Sequence, residues 1–421
     1  MAIQPTKLII AFLAIAIICL VGWLMDFSKT VVATPGSQRR LTELNIYMSN
    51  PKQVESYIEG LRKEGEGVGV FTTLWHFGSG RFHTALKELF ELNFASMAKN
   101  IADFFSAIGW ASRYHTVYCI IFFVTALAVI SVFGGAICRI SALQFAQGEK
   151  PGLTEALRFS IKRFTSFFTT PFAPIGIIIF IGLFIFLLGL AGNIPRAGEL
   201  IVGIGMPLAL IAGALIAVIL IGAAAGFNLM FPAVAYDGSD CFDSISRSFS
   251  YVYARPWRMV FYTLITALYG AICYTFVRFF AFVLLWTTRW FLDLGIWVEN
   301  STKETDKLTA IWPEPEFMNL LGTGSITSNN WSEATGAFLV YIFLLVIVGL
   351  LASFIISFYF SANTIIYSLI RNKVDNTSLE DIYTHFDEVE IEPVITEPES
   401  KQVQSEPESE SQPDSSSPEE Q

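Results

Sequence analysis

Catalysis or ion coupling inside a membrane needs titratable side chains among apolar ones, and Asp, Glu and His are the usual candidates. None of the three occurs within the six long apolar runs of this sequence. The charged residue nearest the apolar phase is Arg278, directly after the fifth run. A guanidinium there could face an aqueous cavity and hold an anion or a lipid headgroup. Its place beside an aromatic stretch fits snorkelling to the interface better. His76 and His83 bracket Phe-Gly-Ser-Gly-Arg-Phe, but a metal site needs more ligands than this pair. Cys19, Cys119, Cys138, Cys241 and Cys273 show no metal-ligand spacing and read as small buried hydrophobes. No Walker loop, His-Glu-x-x-His, Gly-x-Ser-x-Gly or dinucleotide fingerprint is present. No catalytic residue, cofactor or metal is therefore expected.

The elements that must carry these residues belong to a membrane. Apolar residues make up 53% of the 421 and charged residues 15%, mean hydropathy is +0.52, and each long apolar run can cross a hydrocarbon core of about 30 Å. The expected fold is all-α, a polytopic bundle of six transmembrane helices over residues 8–25, 116–138, 175–192, 201–227, 259–277 and 335–360. The first run reads as an uncleaved signal anchor: Ile18 precedes Cys19, so there is no lipobox, and no convincing small-x-small cleavage site follows at close range. Residues 279–298, with Trp286, Arg289, Trp290, Asp293 and Trp297, read as an interfacial continuation of the fifth span, a hidden hairpin being the alternative.

Four regions follow. Residues 1–25 form the anchor and 26–115 an external, mainly helical region resting on the membrane or the bundle. Residues 116–374 form a five-span bundle and 375–421 an acidic, disordered cytoplasmic tail. In the external region, Ser49-Asn50-Pro51 starts a helix, and Leu86, Phe90, Phe94, Met97, Ile101, Phe104, Phe105 and Ile108 share one side of an amphipathic run. The net charge is −10, but residues 375–421 carry fifteen acids and one Lys, so the remainder is mildly basic.

Gly205, Ala209, Gly213 and Ala217 recur every fourth residue in the fourth span, and Gly222 and Gly226 repeat the spacing. Small residues on one face let helices approach closely in lipid, so Gly213→Leu is expected to separate the bundle. Past Pro232, where a projection or bend is expected, comes an amphipathic segment over 243–258 and then membrane again. The same plan occurs earlier, with a basic amphipathic helix over 152–168. Laying Glu155 on Asp243 matches Leu157 with Ile245 and Ser160 with Ser248, the mark of an internal duplication or of a generic two-pass pattern. Arg158, Lys162, Arg163, Arg247, Arg255, Trp257 and Arg258 are expected at the membrane surface against lipid phosphates. Lys7 and these cations place both termini in the cytoplasm by the positive-inside rule.

The segment Asp-Ser-Ile-Ser-Arg-Ser-Phe-Ser-Tyr-Val-Tyr-Ala-Arg-Pro-Trp-Arg, Asp243 to Arg258, together with Glu-Ala-Leu-Arg-Phe-Ser-Ile-Lys-Arg-Phe, resembles bacterial multi-pass proteins similar to the membrane domain of glycerophosphodiester phosphodiesterases. The resemblance covers residues 116–290 and implies the bacterial cytoplasmic (inner) membrane. The phosphodiesterase activity of that family belongs to a separate soluble barrel, for which this chain has no large enough segment, so activity is not implied. The expectation is a non-enzymatic scaffold or accessory component of the envelope. Its partners would be membrane lipids and a protein bound through the external region or the acidic tail, with no nucleic acid. A transporter or channel-like protein for a small molecule or lipid is the alternative. A lipid-modifying enzyme would need clustered titratable groups, and the candidates here are scattered.

Overall fold

A computed structural model describes residues 3–34, 41–61, 65–296, 307–322 and 330–383. The elements run α1 (Pro5–Met25), β1 (Val31–Ala33), α2 (Glu43–Ser49), α3 (Val54–Leu61), β2 (Glu66–Val68), α4 (Val70–Phe90), α5 (Phe94–Tyr114), α6 (Thr116–Ala146), α7 (Leu153–Lys162), α8 (Phe164–Thr169), α9 (Ala173–Ala191), α10 (Gly198–Asp237), α11 (Cys241–Ala254), α12 (Pro256–Gly295), α13 (Lys307–Ile311) and α14 (Trp331–Val374). β1 and β2 pair antiparallel, Val31 opposite Val68. Six helices, α1, α6, α9, α10, α12 and α14, are long and apolar enough to cross a membrane. Large side chains such as Phe180, Leu208 and Leu264 face outward from them, a surface made for hydrocarbon. The protein is an all-α, multi-pass membrane bundle.

Three spanning helices are much longer than the bilayer is thick. α10 and α12 have 40 residues and α14 has 44, so at 1.5 Å per residue each is about 60 Å or more, roughly twice a hydrocarbon core. α12 is one helix through Trp286, Arg289, Trp290 and Asp293, which removes the hairpin alternative; Trp297 lies outside the described residues. α10 runs through Pro232 to Asp237 and ends where Gly238 takes φ 62°, the left-handed cap a glycine adopts without strain. The amphipathic run expected across 86–108 is two helices, α4 and α5. They part at Leu92, with φ 57°, and the Asn93 side chain accepts from Ser96 N at 3.3 Å to start the second.

The densest core lies towards the Lys7 end of the bundle. There the C-terminal parts of α6, α10 and α14 are enclosed by α1, α7, α8 and α11, with Ile137, Ile140, Leu229, Phe167 and Tyr367 buried. The basic helix expected over 152–168 is broken at Arg163 into α7 and α8. The two amphipathic segments dock alike: a Cβ on Gly135 would meet Ser160 Oγ at 2.2 Å, and one on Gly226 would meet Ser248 Cβ at 3.5 Å. Both serines are fully buried. Ser160 and Ser248 thus each face a glycine of the preceding long helix, Ser160 at much closer range.

The small-residue face needs correction. Gly205 packs under Leu188 and Gly222 under Phe249 and Tyr253, but a side chain at Gly213 would meet nothing within 4 Å, and Ala217 is exposed. Steps of four residues overshoot a helical turn by about 40° each, so the stripe that meets α9 at Gly205 has wound away from it by Gly213. We expect Gly213→Leu to change stability by less than about 0.5 kcal/mol. Gly135→Ala should cost about 1–3 kcal/mol, because Ser160 and Phe167 leave no room for a methyl group. Unfolding of both variants in detergent checks this; equal losses would refute the assignment of contacts.

Candidate functional site

Asp26 builds the site from its edge. Buried at the end of α1, its carboxylate accepts from Phe71 N (2.8 Å), Thr72 N (2.8 Å), Thr72 Oγ1 (2.6 Å) and Tyr118 Oη (3.0 Å). It caps α4 from a distance, where free N–H groups and the helix dipole favour an anion. Gly69, the residue before α4, must be a glycine because a Cβ would lie 2.0 Å from Asp26 Cγ. The α4–α5 hairpin thus hangs from the Asp26 end of α1.

From there the hairpin runs down the side of the bundle. Arg81 ties its two arms through Asp103 (3.3 Å) and Asn100 (3.2 Å), and the Phe82 ring lies 5.6 Å from that of Tyr274 on α12. Beyond these contacts Leu86, Leu89, Met97 and Ile101 face α12 and the Phe354–Ile366 stretch of α14 across a cavity of about 490 Å³. On its other face that part of α14 meets the Lys7 half of α1, where Lys7 donates to Ser361 Oγ at 3.4 Å. The hairpin, part of the region expected to be external, lies against α12 and α14.

The far wall of the cavity carries polar groups amid aromatic ones. Tyr359 Oη donates to Asn228 Oδ1 at 2.6 Å, and Asn363 Nδ2 to Tyr359 O at 2.9 Å. A second cavity, about 450 Å³, opens on the other side of the α12–α14 contact and reaches Ile3 and Ser361. Both share Thr266, Phe354, Phe358, Ala362 and Ile366 as lining, so these side chains border both cavities. Each volume falls in the range of about 300–1,000 Å³ typical of small-molecule sites.

Arg278 is not placed as the sequence implied. It is 5% exposed and donates from Nε to Phe317 O (2.9 Å), from Nη2 to Met318 O (2.8 Å) and from Nη1 to Tyr274 Oη (2.9 Å). Nη1 also meets His83 Nε2. Neither snorkelling nor anion binding describes it, because four of its five planar donors are spent on protein acceptors. It is a strut joining α12, α4 and residues 317–318. Burial first, then the neighbouring guanidinium, pushes the His83 imidazole below its ordinary range, which keeps Nε2 free to accept. His76 lies apart, lining a recess with Thr42, Asn45, Thr72 and Thr73. Among the described residues no group of three His, Cys, Asp or Glu could hold a metal.

Of the residues expected at the membrane surface, Arg158, Lys162, Arg255 and Arg258 are exposed, Arg163 is half-buried, and Trp257 is 84% exposed. Arg247 is drawn inward, with Nε 3.0 Å from Asp243 Oδ2 and Nη1 3.5 Å from Asp237 Oδ2. It belongs to a polar cluster that sequence reasoning missed. Arg371 Nε lies 3.2 Å from Asp237 Oδ1, and Tyr367 Oη donates to Asp237 Oδ2. The chain just after α14 is clipped into the same cluster: Tyr251 Oη donates to Asp375, Tyr236 Oη to Leu379 O, and Arg371 Nη1 to Asp381 O at 2.7 Å. Burial and the Asp375 carboxylate push the Tyr251 phenol well above its ordinary range. Residues 375–382, assigned by composition to the acidic tail, are therefore part of the bundle, and Ile382 is buried. Aspartate and arginine at the ends of apolar runs look like ordinary interface charges, so only Asp375 and Asp381, early in the acidic tract, could have hinted at partners. The rest of the tail, from residue 384, lies outside the described residues.

Comparisons with family models, with curated proteins and with solved structures found no match to this chain.

Proposed function

We propose that this membrane protein binds an amphiphile laterally within the bilayer and handles it without chemically changing it, a role of the transporter-like class. The observation that carries the reading is the cavity between the α4–α5 hairpin and α12–α14: apolar and aromatic over most of its wall, with Asn228, Tyr359 and Asn363 on one side. Such a lining suits a ligand that is mostly hydrocarbon with a few polar atoms. Lys7, Arg158, Lys162, Arg163, Arg247, Arg255 and Arg258 favour both termini on the cytoplasmic side. The resemblance to the glycerophosphodiester phosphodiesterase membrane domain favours a bacterial inner membrane, and no catalytic role is assigned to any residue.

A second reading, an accessory or scaffold protein that recruits a basic partner, draws on the clip at residues 375–382, which anchors the start of an acidic tail. Purifying the intact protein in mild detergent and analysing what accompanies it separates the two. The amphiphile reading expects a stoichiometric lipid or small amphiphile that Ala267→Trp, in the cavity wall, expels. A stoichiometric protein lost on deleting residues 384–421, with no retained amphiphile, would replace that reading with the second.

A further inference from the structure

The α12–α14 crevice ends beside a buried charge. Its α1-side cavity reaches Ser361 and Ile3, and the Ser361 hydroxyl accepts from the Lys7 ammonium at 3.4 Å and from Ser141 Oγ at 2.9 Å. Lys7 is fully buried, and its hydrogen-bond partners among the described residues, Gln144 Oε1 at 3.0 Å and Ser361, are both neutral. A buried cation without a carboxylate is costly, and in a membrane protein such a group marks a place where an anion or substrate is received.

We propose that the crevice takes an acyl chain bearing an anionic headgroup, a carboxylate or a phosphate. The anion sits at Ser361, one hydroxyl away from the Lys7 ammonium, and the chain lies among Thr266, Phe354, Phe358, Ala362 and Ile366. This rests on the amphiphile reading above and adds the charge and the orientation of the ligand. The Lys7 charge, acting across the Ser361 hydroxyl in surroundings that screen it poorly, supplies the discrimination. The apolar walls hold the chain without reading its length.

The test uses the full chain in phosphatidylcholine nanodiscs with two labelled probes of one chain length, palmitate and hexadecanol, corrected for uptake by empty discs. Palmitate is expected to bind saturably and at least about tenfold more tightly than hexadecanol. Lys7→Met should remove that preference, Lys7→Arg should keep most of it, and Ala362→Trp should abolish binding of both. Competition by added phosphatidylglycerol would identify a phospholipid phosphate as the anion; its absence would identify a free carboxylate. Equal binding of the two probes to the unaltered protein overturns the anionic headgroup while leaving the amphiphile reading intact, and this comparison decides even if Lys7→Met fails to fold. Failure of both probes to bind overturns both readings.

Discussion

Arg371→Met is expected to lower the unfolding free energy by about 3–5 kcal/mol, the usual cost of removing one member of a buried ion pair. The guanidinium is held by Asp237 Oδ1 (3.2 Å), Asp381 O (2.7 Å) and Asp381 Oδ2 (3.2 Å), and lies 5.2 Å over the Tyr236 ring. Methionine would fill much of the space and leave Asp237 facing Arg247 at 3.5 Å as its remaining cation. Arg371→Lys should recover only part of the loss, because one ammonium cannot reproduce a planar fork shared between α10 and residue 381. Thermal unfolding in detergent gives the magnitude, and proteolysis between residues 375 and 383 shows whether the clip opens. A loss below about 1 kcal/mol would reduce the cluster to a solvated surface network.

Asp26→Ala is expected to have the second largest effect, about 3 kcal/mol or more, since one buried carboxylate serves four donors and hydrogen bonds to a charged group contribute about 1.5–3 kcal/mol each before relaxation. The loss should be local first. Amide exchange at Phe71 and Thr72 and cleavage within residues 70–114 should rise before the rest of the bundle responds. Asp26→Asn should fall between the two, keeping an acceptor oxygen but turning an amide group towards the donors. Unchanged exchange at Phe71 in Asp26→Ala would mean the hairpin is held by its packing on α12 alone.

What could be read from residues was the membrane plan, because uninterrupted apolarity over a helix length has few other uses. The six spans, the surface segments after α6 and α10, and the pairing of Ser160 with Ser248 all follow from pattern. Depth and partnership did not. Arg278 ends an apolar run and so looks interfacial; its burial depends on residues 317–318 folding back, some forty positions away. Gly213 sits in a flawless four-residue spacing, yet spacing names a face without naming the neighbour. Lys7 passed for a topology signal because nothing local marks Gln144 or Ser361 as its partners. The crevice itself has no sequence signature, being the space left where α12, α14 and a hairpin built over a hundred and fifty residues earlier fail to touch.

The clip at residues 375–382 also has a mechanical meaning. A pull on the acidic tail would not peel α14 from its end, because the load first reaches Asp375, Leu379 and Asp381, bonded to Tyr251, Tyr236 and Arg371 on three helices. A load from the tail meets them in turn, at residue 381, then 379, then 375, before it reaches α14. The bundle is thereby built to bear tension at its tail, much as a rope is tied off at a cleat before it reaches the mast.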